Sequence, residues 1–455
     1  MSGTGSLSQT FLRKLRSEFY SDTRNVLAQN VCTKFSPTEA CISRQTVQNT
    51  QQIFNHKIDP EGKPITDQKS SGRCWLFAML NVIRSPFMKM HNLEEFEFSQ
   101  SYLLFWDKVE RSNYFLQNVV ETAERGEAVD GRLVSFLLKD LVGDGGQWDM
   151  AVNLIKKHGL VPKTCFPEST TSEATARLNG LLRTKLREYA KVLRSLISNG
   201  VSKADLQAKI EEQMLVIYRI IGICVGIPSE TFTWEFYTST KTYTSIGPIT
   251  PVEFYEKHVK PCFNVDEKVC LVTDPRPTNP FGKLYTLDCL GNVWGGGRTL
   301  YNNQPPELLL KLCAESIKNN EPVWFGCEVS KRYAMKEGIH DLKAHDYEAM
   351  FGTDAQITLS KADRLLYGDS SMTHAMAFTG VSIDNDGKIS KFRIENSWGK
   401  DRGDKGYQVC TADWFMEFVF EAVVDKKYVP ADVLAVFDQE PIVLPAWDPM
   451  GTLAQ

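Results

Sequence analysis

A cysteine stands directly before a long apolar run in residues 68–77, which read QKSSGRCWLF. The apolar residues that follow it, WLFAML at 75–80, predict a helix that begins at Cys74. Because a helix N-terminus carries unpaired N–H groups and partial positive charge, it favours a thiolate over a thiol. The pattern therefore predicts a fold that places a nucleophilic sulfur on the first turn of a helix. A small core cysteine at a helix start is the competing interpretation.

A glutamine six positions before the cysteine indicates acyl-transfer chemistry. Gln68 would donate a side-chain N–H to the oxyanion that forms when a carbonyl is attacked, and the backbone N–H of Cys74 would be the second donor. Gly72 permits the backbone turn that this arrangement needs. The stretch thus predicts a nucleophile and an oxyanion hole together.

A cysteine nucleophile needs a base and a group that orients the base, and two strand-like segments supply candidates. His374 opens the alternating segment AMAFTGV, and Asn396 ends the alternating segment KFRIEN. The Asn396 side-chain carbonyl can accept a hydrogen bond from an imidazole, and Trp398 could cover that bond from water. A lone histidine on a strand is more often structural. The order Cys74, His374, Asn396 favours a catalytic group.

The composition indicates an ordinary soluble protein. The chain has 455 residues, 42% of them hydrophobic and 24% charged, and its net charge is -4. This charge argues against a surface built mainly for nucleic acid or anionic membrane, although it leaves a local basic patch open. No apolar run approaches the ~20 residues of a membrane-spanning helix, and the first ten residues, MSGTGSLSQT, lack the apolar core of a secretory signal. We therefore expect a cytoplasmic protein without a membrane partner.

The eleven cysteines and seven histidines are scattered, with no CxxC pair and no zinc-ligand spacing. In a long chain without a signal, such cysteines are mostly reduced core thiols. We expect no metal and no cofactor.

The periodicity predicts an α+β fold in six segments, with helices first and antiparallel strands after them. The segments are an N-terminal helical extension (1–60), a helical half with the cysteine (61–170), a helical hairpin insertion (171–227), an irregular or β-rich insertion (228–320), a β half with the histidine and asparagine (321–435) and a C-terminal tail (436–455). Residues 7–30 predict an amphipathic helix packed on a larger body, and residues 44–56 a second short helix. The hairpin is either a subdomain packed on the core or an assembly surface.

Two further stretches indicate how a peptide could be held. Gly145 and Gly146 lie in a glycine-rich loop, and adjacent glycines let a backbone approach an extended ligand closely; an ordinary turn is the alternative. The tail is rich in proline and apolar residues, which predicts an extended segment lying in a groove. The carboxylate of Gln455 would then lie near Cys74 and attract a substrate ammonium group.

These motifs resemble those of a known family. QKSSGRCW, THAMAF and ENSWGKDRGDKGY are similar to the cysteine, histidine and asparagine motifs of the papain-like cysteine peptidases, and the likeness runs from the N-terminal helix to the final WDPMG. The resemblance implies a papain-like cysteine peptidase fold: a helical half plus an antiparallel β-barrel-like half, with helical and irregular insertions. The residues it implies are Cys74, His374 and Asn396 as catalytic groups, Gln68 in the oxyanion hole, Trp398 as a shield, and Gly145, Gly146 and Gln455 in substrate binding.

The chain departs from the secreted members of this family at three places. Ser71 and Gly143 stand where those enzymes carry disulfide-bonded cysteines, which suits a reducing compartment. The stretch KDR at 400–402 replaces an aromatic residue that commonly follows the NSWG motif. The shield over the site therefore lacks its usual second aromatic ring.

Within the family the chain resembles the cytosolic aminopeptidases. This implies hydrolysis of N-terminal amide bonds in peptides and aminoacyl amides, and of a carboxamide in a peptide-like drug. It also implies a ring-shaped homohexamer with the tail of each chain in its cleft. An endopeptidase of the same fold is one alternative, and a cage-like binding protein for nucleic acid or a drug is another. The presence of Cys74, His374 and Asn396 argues against a protein that only binds.

Overall fold

The computed structural model describes residues 5–452 as a large sheet with helices on both faces. The helices are α1 Gln9–Ser21, α2 Thr23–Cys32, α3 Pro37–Ala40, α4 Arg44–Asn49, α5 Cys74–His91, α6 Gln100–Glu124, α7 Arg132–Leu137, α8 Trp148–His158, α9 Thr170–Glu173, α10 Ala176–Ser198, α11 Lys203–Val225, α12 Pro251–Phe254, α13 Pro306–Lys318, α14 Tyr347–Phe351, α15 Lys361–Leu366, α16 Ala412–Phe418 and α17 Ala431–Leu434. The strands are β1 His56–Lys57, β2 Phe232–Tyr237, β3 Tyr243–Ile249, β4 Lys268–Val272, β5 Lys283–Leu287, β6 Tyr301–Asn303, β7 Val323–Cys327, β8 Tyr333–Ala334, β9 Ile339–His340, β10 His374–Ile383, β11 Ile389–Glu395, β12 Tyr407–Thr411, β13 Val419–Asp425 and β14 Ile442–Leu444.

Twelve of these strands form one sheet, in the order β14-β5-β6-β4-β13-β7-β10-β11-β12-β9-β8, with β1 added to β10. Most neighbours are antiparallel, and three pairs, β9–β12, β5–β14 and β4–β6, are parallel. At the centre, β10 pairs antiparallel with β7, where His374 is paired with Cys327, and with β11, where Ala377 is paired with Glu395. The predicted α+β class is confirmed.

The alternation of side chains along β10 divides them between two cores. Ala375 and Ala377 belong to the core that contains α5, whereas Met376 and Phe378 belong to the core that contains α13 and α16. The strand is therefore buried on both faces. Its alanines are small, which lets α5 lie close to the sheet.

The helix that carries the candidate nucleophile is a core element. Its sequence is apolar on nearly all sides, and most of its residues are buried between the sheet, α6 and α8. Asn92, in the left-handed conformation with φ 53°, ends the helix. Cys74 is thus held at the start of a rigid, buried helix, as the sequence predicts.

Helices α10 and α11 form the hairpin that the sequence predicts. Leucines 178, 182, 186 and 193 are buried in a third core, which also contains residues of α6. Gly200, with φ +73°, lies in the turn, and the Ser202 side chain caps α11 by accepting a hydrogen bond from the backbone N–H of Asp205. The helices are confirmed, and the six-segment division of the chain stays a prediction.

Two predictions about the extent of helices are wrong. Residues 7–30 form two helices rather than one, because Asp22 leaves the helical conformation and caps α2 with its side chain. Neither α1 nor α2 has a buried residue; α2 contacts α3 and α14, whereas α1 contacts α2. The second short helix stops at Asn49, and residues 50–55 lack helix. The span 228–320, predicted to be irregular or β-rich, contains β2 to β6; β4, β5 and β6 extend the sheet, and α13 packs beneath it.

Two findings concern the described residues as a whole. None of their helices is both long enough and apolar enough to cross a membrane. No three His, Cys, Asp or Glu side chains within residues 5–452 are grouped so that they could hold a metal ion.

Candidate active site

Cys74 is the first residue of α5 and is completely buried. Burial raises the pKa of its thiol to about 12, although hydrogen bonds from the backbone N–H groups of Ala375 and of the helix start favour the thiolate. The contact with Ala375 places the sulfur directly beside the first residues of β10. The structure therefore brings Cys74 and the His374 segment together across 300 residues of chain.

His374 begins β10 and is paired with Asn396, which follows β11. The imidazole Nε2 and the Asn396 Oδ1 are 2.9 Å apart. Asn396 Oδ1 also accepts from the backbone N–H of Ser397 at 2.7 Å, which fixes the amide orientation so that its oxygen faces the ring. Because an amide oxygen can only accept, the proton is on Nε2, and Nδ1 is left for the thiol.

Trp398 lies against the imidazole of His374. Its ring centroid lies 4.6 Å from that of His374, with an angle of 31° between the rings. The Arg402 guanidinium lies 4.8 Å from the centroid of the Trp398 ring on which it stacks, and Tyr333 packs against the same indole. The KDR stretch therefore supplies a cation over the outer face of this indole.

The charge states of the two groups are set by burial. Burial lowers the pKa of His374 to about 4, and the Asn396 hydrogen bond offsets only part of that shift. With the thiol pKa raised as well, a neutral thiol and a neutral imidazole are favoured at neutral pH. Proton transfer from Sγ to the ring creates two adjacent opposite charges with no net charge, so each ion stabilises the other. The expected thiolate therefore forms by transfer to His374, and the helix N-terminus alone does not produce it.

Gln68 is fixed at both ends of its side-chain amide. Its Nε2 donates to the backbone carbonyl of Ser71 at 2.6 Å, and its Oε1 accepts from the Ser397 hydroxyl at 2.7 Å. Its backbone N–H donates to the Ser397 carbonyl at 2.9 Å. One amide hydrogen is used in the nucleophile loop, residues 68–74, and the second is left for a ligand. The side chain is 5% exposed, so its position is determined by these contacts.

The glycine loop, residues 143–147, packs against the nucleophile loop. A Cβ on Gly146 would lie 2.5 Å from atoms of the Trp75 ring, so this position requires glycine. The Trp75 Nε1 donates to the backbone carbonyl of Asp144 at 2.6 Å. Gly146 thus lies against Trp75, the residue after Cys74, and Gln147 leads into α8.

The tail runs from the edge of the sheet to the glycine loop. After β14, which pairs with β5, Trp447 stacks under the Arg132 guanidinium and Asp448 forms two hydrogen bonds to Arg276, of 2.7 and 3.1 Å. The Gln147 side chain then donates to the backbone carbonyl of Thr452 at 3.0 Å. The described tail therefore ends beside the glycine loop. The prediction for Gln455 lies outside the described residues.

A cavity of about 910 Å³ opens between these parts. It is lined by residues of the nucleophile loop, the glycine loop, α6, α10 and the tail, among them Ser71, Gly72, Gly143, Asp144 and Thr452. The tail forms one wall of this cleft. Cys74 and His374 are not among its lining residues, so the cavity adjoins the catalytic pair and does not contain it.

Three polar residues of this site were not anticipated from the sequence. Ser397 orients Gln68, Gln147 binds the tail, and Asp144 links the two loops. The only signal in the sequence is local: Asp144 stands within the glycine-rich run and Ser397 within the NSWG motif. Their roles depend on partners far away in the chain, which periodicity cannot identify.

Comparison with known proteins defines the class of protein as a papain-like cysteine peptidase, so the predicted fold and enzyme class are confirmed. More specifically, the chain belongs to the Peptidase C1-like family, whose model matches residues 6–451. It is 56% identical to the bleomycin hydrolase of Gallus gallus over 448 residues, 98% of this chain and 97% of the relative. It is 38% identical to the aminopeptidase C of Streptococcus thermophilus, over 99% of each chain. The crystal structure of PepW from Lactobacillus rhamnosis matches with a TM-score of 0.94 and 37% identity, covering 99% of this chain and 100% of that one.

Proposed function

We propose that this protein is a cysteine aminopeptidase that removes N-terminal residues from peptides and aminoacyl amides. The observation that carries the proposal is the bond between Thr452 of the tail and Gln147, beside the glycine loop. A tail in this place leaves little room for a substrate that extends upstream of the scissile bond. The relatives named aminopeptidase C and bleomycin hydrolase support the same activity.

The first chemical step is attack by sulfur. As Sγ of Cys74 bonds to the substrate carbonyl carbon, its proton passes to Nδ1 of His374, and the carbonyl oxygen becomes an oxyanion. The free amide hydrogen of Gln68 and the backbone N–H of Cys74 donate to that oxyanion. The Asn396 side-chain oxygen accepts the Nε2 proton of His374 in a hydrogen bond and so holds the imidazolium in place.

The second step releases the products. When the tetrahedral intermediate collapses, the carbon–nitrogen bond breaks and the amine leaves with the proton from His374. The acyl group stays on Cys74 as a thioester. Water then attacks the thioester carbonyl, His374 takes the water proton, and the thiolate leaves and is reprotonated. For an aminoacyl amide or a primary carboxamide the leaving group is ammonia, and the carboxamide of bleomycin belongs to this substrate class.

The test compares two substrates that differ only at the amino terminus: an aminoacyl amide with a fluorogenic leaving group and its N-acetylated analogue. We expect turnover of the free amine and much slower turnover of the blocked analogue, because the tail excludes upstream groups. Cys74→Ser should abolish nearly all turnover and keep the fold, since a serine hydroxyl beside neutral His374 is a poor nucleophile. Equal rates on both substrates would instead favour the endopeptidase. Tight binding without turnover would favour the binding protein.

Assembly and location follow as further parts of the proposal. Several apolar side chains of α1 are exposed, including Phe11 and Leu15, which supports association with other copies of the chain. The homohexamer implied by the resemblance is the expected size. All eleven cysteines are free thiols, which supports a reducing compartment, the cytoplasm. The net charge of -4 gives no support to nucleic-acid binding.

A further inference from the structure

Asp144 is a buried carboxylate between the two loops that form the site, and both of its oxygens are fully used. Lys108 of α6 donates its ammonium to Oδ1 at 2.7 Å, and the Asn179 amide donates to the same oxygen at 2.8 Å. The other oxygen accepts from the backbone N–H of Gly72 at 3.1 Å and from the Thr175 hydroxyl. Asp144 and Lys108 are 8% and 0% exposed. The carboxylate therefore links its own glycine loop to α6, to the start of α10 and to the nucleophile loop.

One of these contacts, the bond from the Gly72 N–H, belongs to the machinery already described. Gly72 precedes Cys74 by two residues, so its N–H bond ties the carboxylate to the nucleophile loop. The backbone carbonyl of Asp144 accepts from Trp75, the residue after Cys74. Asp144 itself directly precedes Gly145. The residue thus joins the chain on both sides of the nucleophile to the loop on which a peptide backbone would lie.

Of the other three contacts, Lys108 comes from α6 and two come from the start of the hairpin. Thr175 directly precedes α10, and Asn179 lies on the first turn of that helix. Nearby, the Ser70 N–H donates to the Glu173 carbonyl at 2.9 Å, and buried Arg73 makes two 3.0 Å bonds to the Glu168 carboxylate. Segment 168–179 therefore contacts the nucleophile loop at Ser70 and Arg73, and it contacts the glycine loop at Asp144. The hairpin is connected to the site and is more than a remote appendage.

We propose that Asp144 is a positioning residue for amide hydrolysis, one that holds the nucleophile loop and the glycine loop in register and is itself held by the hairpin through Thr175 and Asn179. This inference rests on the proposed function. Asp144 acts through Gly72, Trp75 and Gly145, and it does not touch the reacting atoms. Small displacements of a nucleophile matter, because misplacement by 1 Å can cost about 10²-fold in rate.

The negative charge of Asp144 also affects the pKa of Cys74, which gives the positioning role a second measurable effect. Burial alone would raise the pKa of this carboxyl, but the Lys108 ammonium and the hydrogen bonds hold it well below its usual range, so Asp144 stays ionised. Its negative charge raises the pKa of the Cys74 thiol. Removing the charge should therefore lower that pKa, an effect that simple loss of stability would not produce.

The test uses Asp144→Asn in the full-length protein. An amide has one oxygen, so either Gly72 N–H and Thr175 or Lys108 and Asn179 would face a donor instead of an acceptor. We expect kcat on the aminoacyl amide to fall about 10²-fold with a small change in KM. The pH profile of iodoacetamide alkylation of Cys74 should move to lower pH. An unchanged kcat and an unchanged profile would overturn the proposal.

A matched control separates positioning from folding. Asp107 is another buried α6 carboxylate, paired with Arg111 and 1% exposed, and within residues 5–452 it makes no bond to either loop. Asp107→Asn should reduce thermal stability and leave the alkylation profile in place. A shift in this control as large as that of Asp144→Asn would overturn the assignment.

If Asp144→Asn does not fold, Thr175→Val combined with Asn179→Ala removes the hairpin contacts and keeps the ionised carboxylate with Lys108. This variant should lower kcat about tenfold, a milder displacement of the same loop. Wild-type kcat would contradict the hairpin part of the proposal. If the wild-type protein turned over neither substrate, the proposed function would be wrong, and the alkylation profiles would still test Asp144.

Discussion

At the scale of single residues, Gln68 shows how an oxyanion donor is prepared. Its carbonyl is held by Ser397 and one amide hydrogen by the Ser71 carbonyl, so the second hydrogen has a fixed direction. A donor that is fixed before the reaction needs no reorganisation when the charge develops. Because Gln68 is buried, its side chain loses conformational entropy when the protein folds and not during the reaction.

Gln68→Ala should lower kcat on the aminoacyl amide by ~10²–10³ with little change in KM, because the donor is used mainly in the transition state. Steady-state kinetics of purified variants measures this. Asn396→Ala should be milder, since His374 keeps its position under Trp398. Full activity of Gln68→Ala would show that the amide has no oxyanion role.

Ser397→Ala provides a matched variant for the same donor. It removes the hydrogen bond to Gln68 Oε1 and leaves the Gln68 amide in place. We expect an intermediate loss of kcat, between wild type and Gln68→Ala. A loss greater than that of Gln68→Ala would mean that Ser397 acts on another part of the site.

At the scale of elements, the tail is attached by successive contacts. β14 pairs with β5, the Asp448–Arg276 pair is bidentate, and Met450 is 9% exposed in a pocket that Tyr301 and Glu421 also line. Charge-assisted bidentate pairs fix geometry as well as adding binding energy. The tail is therefore anchored upstream of its last residues, and its tip can be removed without releasing the anchor.

Deletion of residues 451–455 should weaken aminopeptidase activity and open activity on N-blocked peptides. The deletion removes Thr452 from the cleft, and the Asp448 and Met450 anchors stay. Both activities are measured on wild-type and truncated protein, with assembly checked by light scattering. Val443→Thr, an exposed position on β14, is the control. An unchanged ratio of the two activities in an assembled truncation would mean that the tail does not set specificity.

At the scale of the whole molecule, two surfaces are candidates for assembly. Helix α1 exposes Phe11, Leu12, Leu15 and Phe19 along its length, and α11 exposes Leu215 and Ile223. An exposed apolar stripe on a soluble chain is typical of an interface. Since no residue of α1 is buried against its own chain, we expect α1 to be covered by another copy.

If the proposed assembly of six 51.5 kDa chains forms through α1, Leu15→Glu with Phe19→Glu should reduce it to smaller species, because two charges would be buried at the interface. Light scattering at several concentrations measures the mass. Leu215→Glu with Ile223→Glu tests the hairpin surface in the same way. A hexamer that persists in the α1 variant and dissociates in the α11 variant would assign the interface to the hairpin. A monomeric wild-type protein would contradict the assembly itself.

The sequence by itself determined the elements that depend on near neighbours along the chain. Helix α5 beginning at Cys74, the alternation in β10 and the two hairpin helices follow from periods of 3.6 and 2 residues, which are local properties. The motifs around Cys74, His374 and Asn396 also indicated the class of enzyme, because each residue type has a chemical role that few others can fill.

Only the tertiary structure decided which distant groups meet and how burial changes them. In the sequence Asp144 resembles any loop aspartate, and only the structure shows its contacts with Lys108, Gly72 and the hairpin. Likewise the periodicity of α1 predicts a packed helix, whereas the structure leaves its apolar face exposed. The pKa shifts of Cys74 and His374 likewise come from burial by segments 300 residues apart. The physical reason is that desolvation and charge pairing depend on distances in space, which a one-dimensional pattern does not contain.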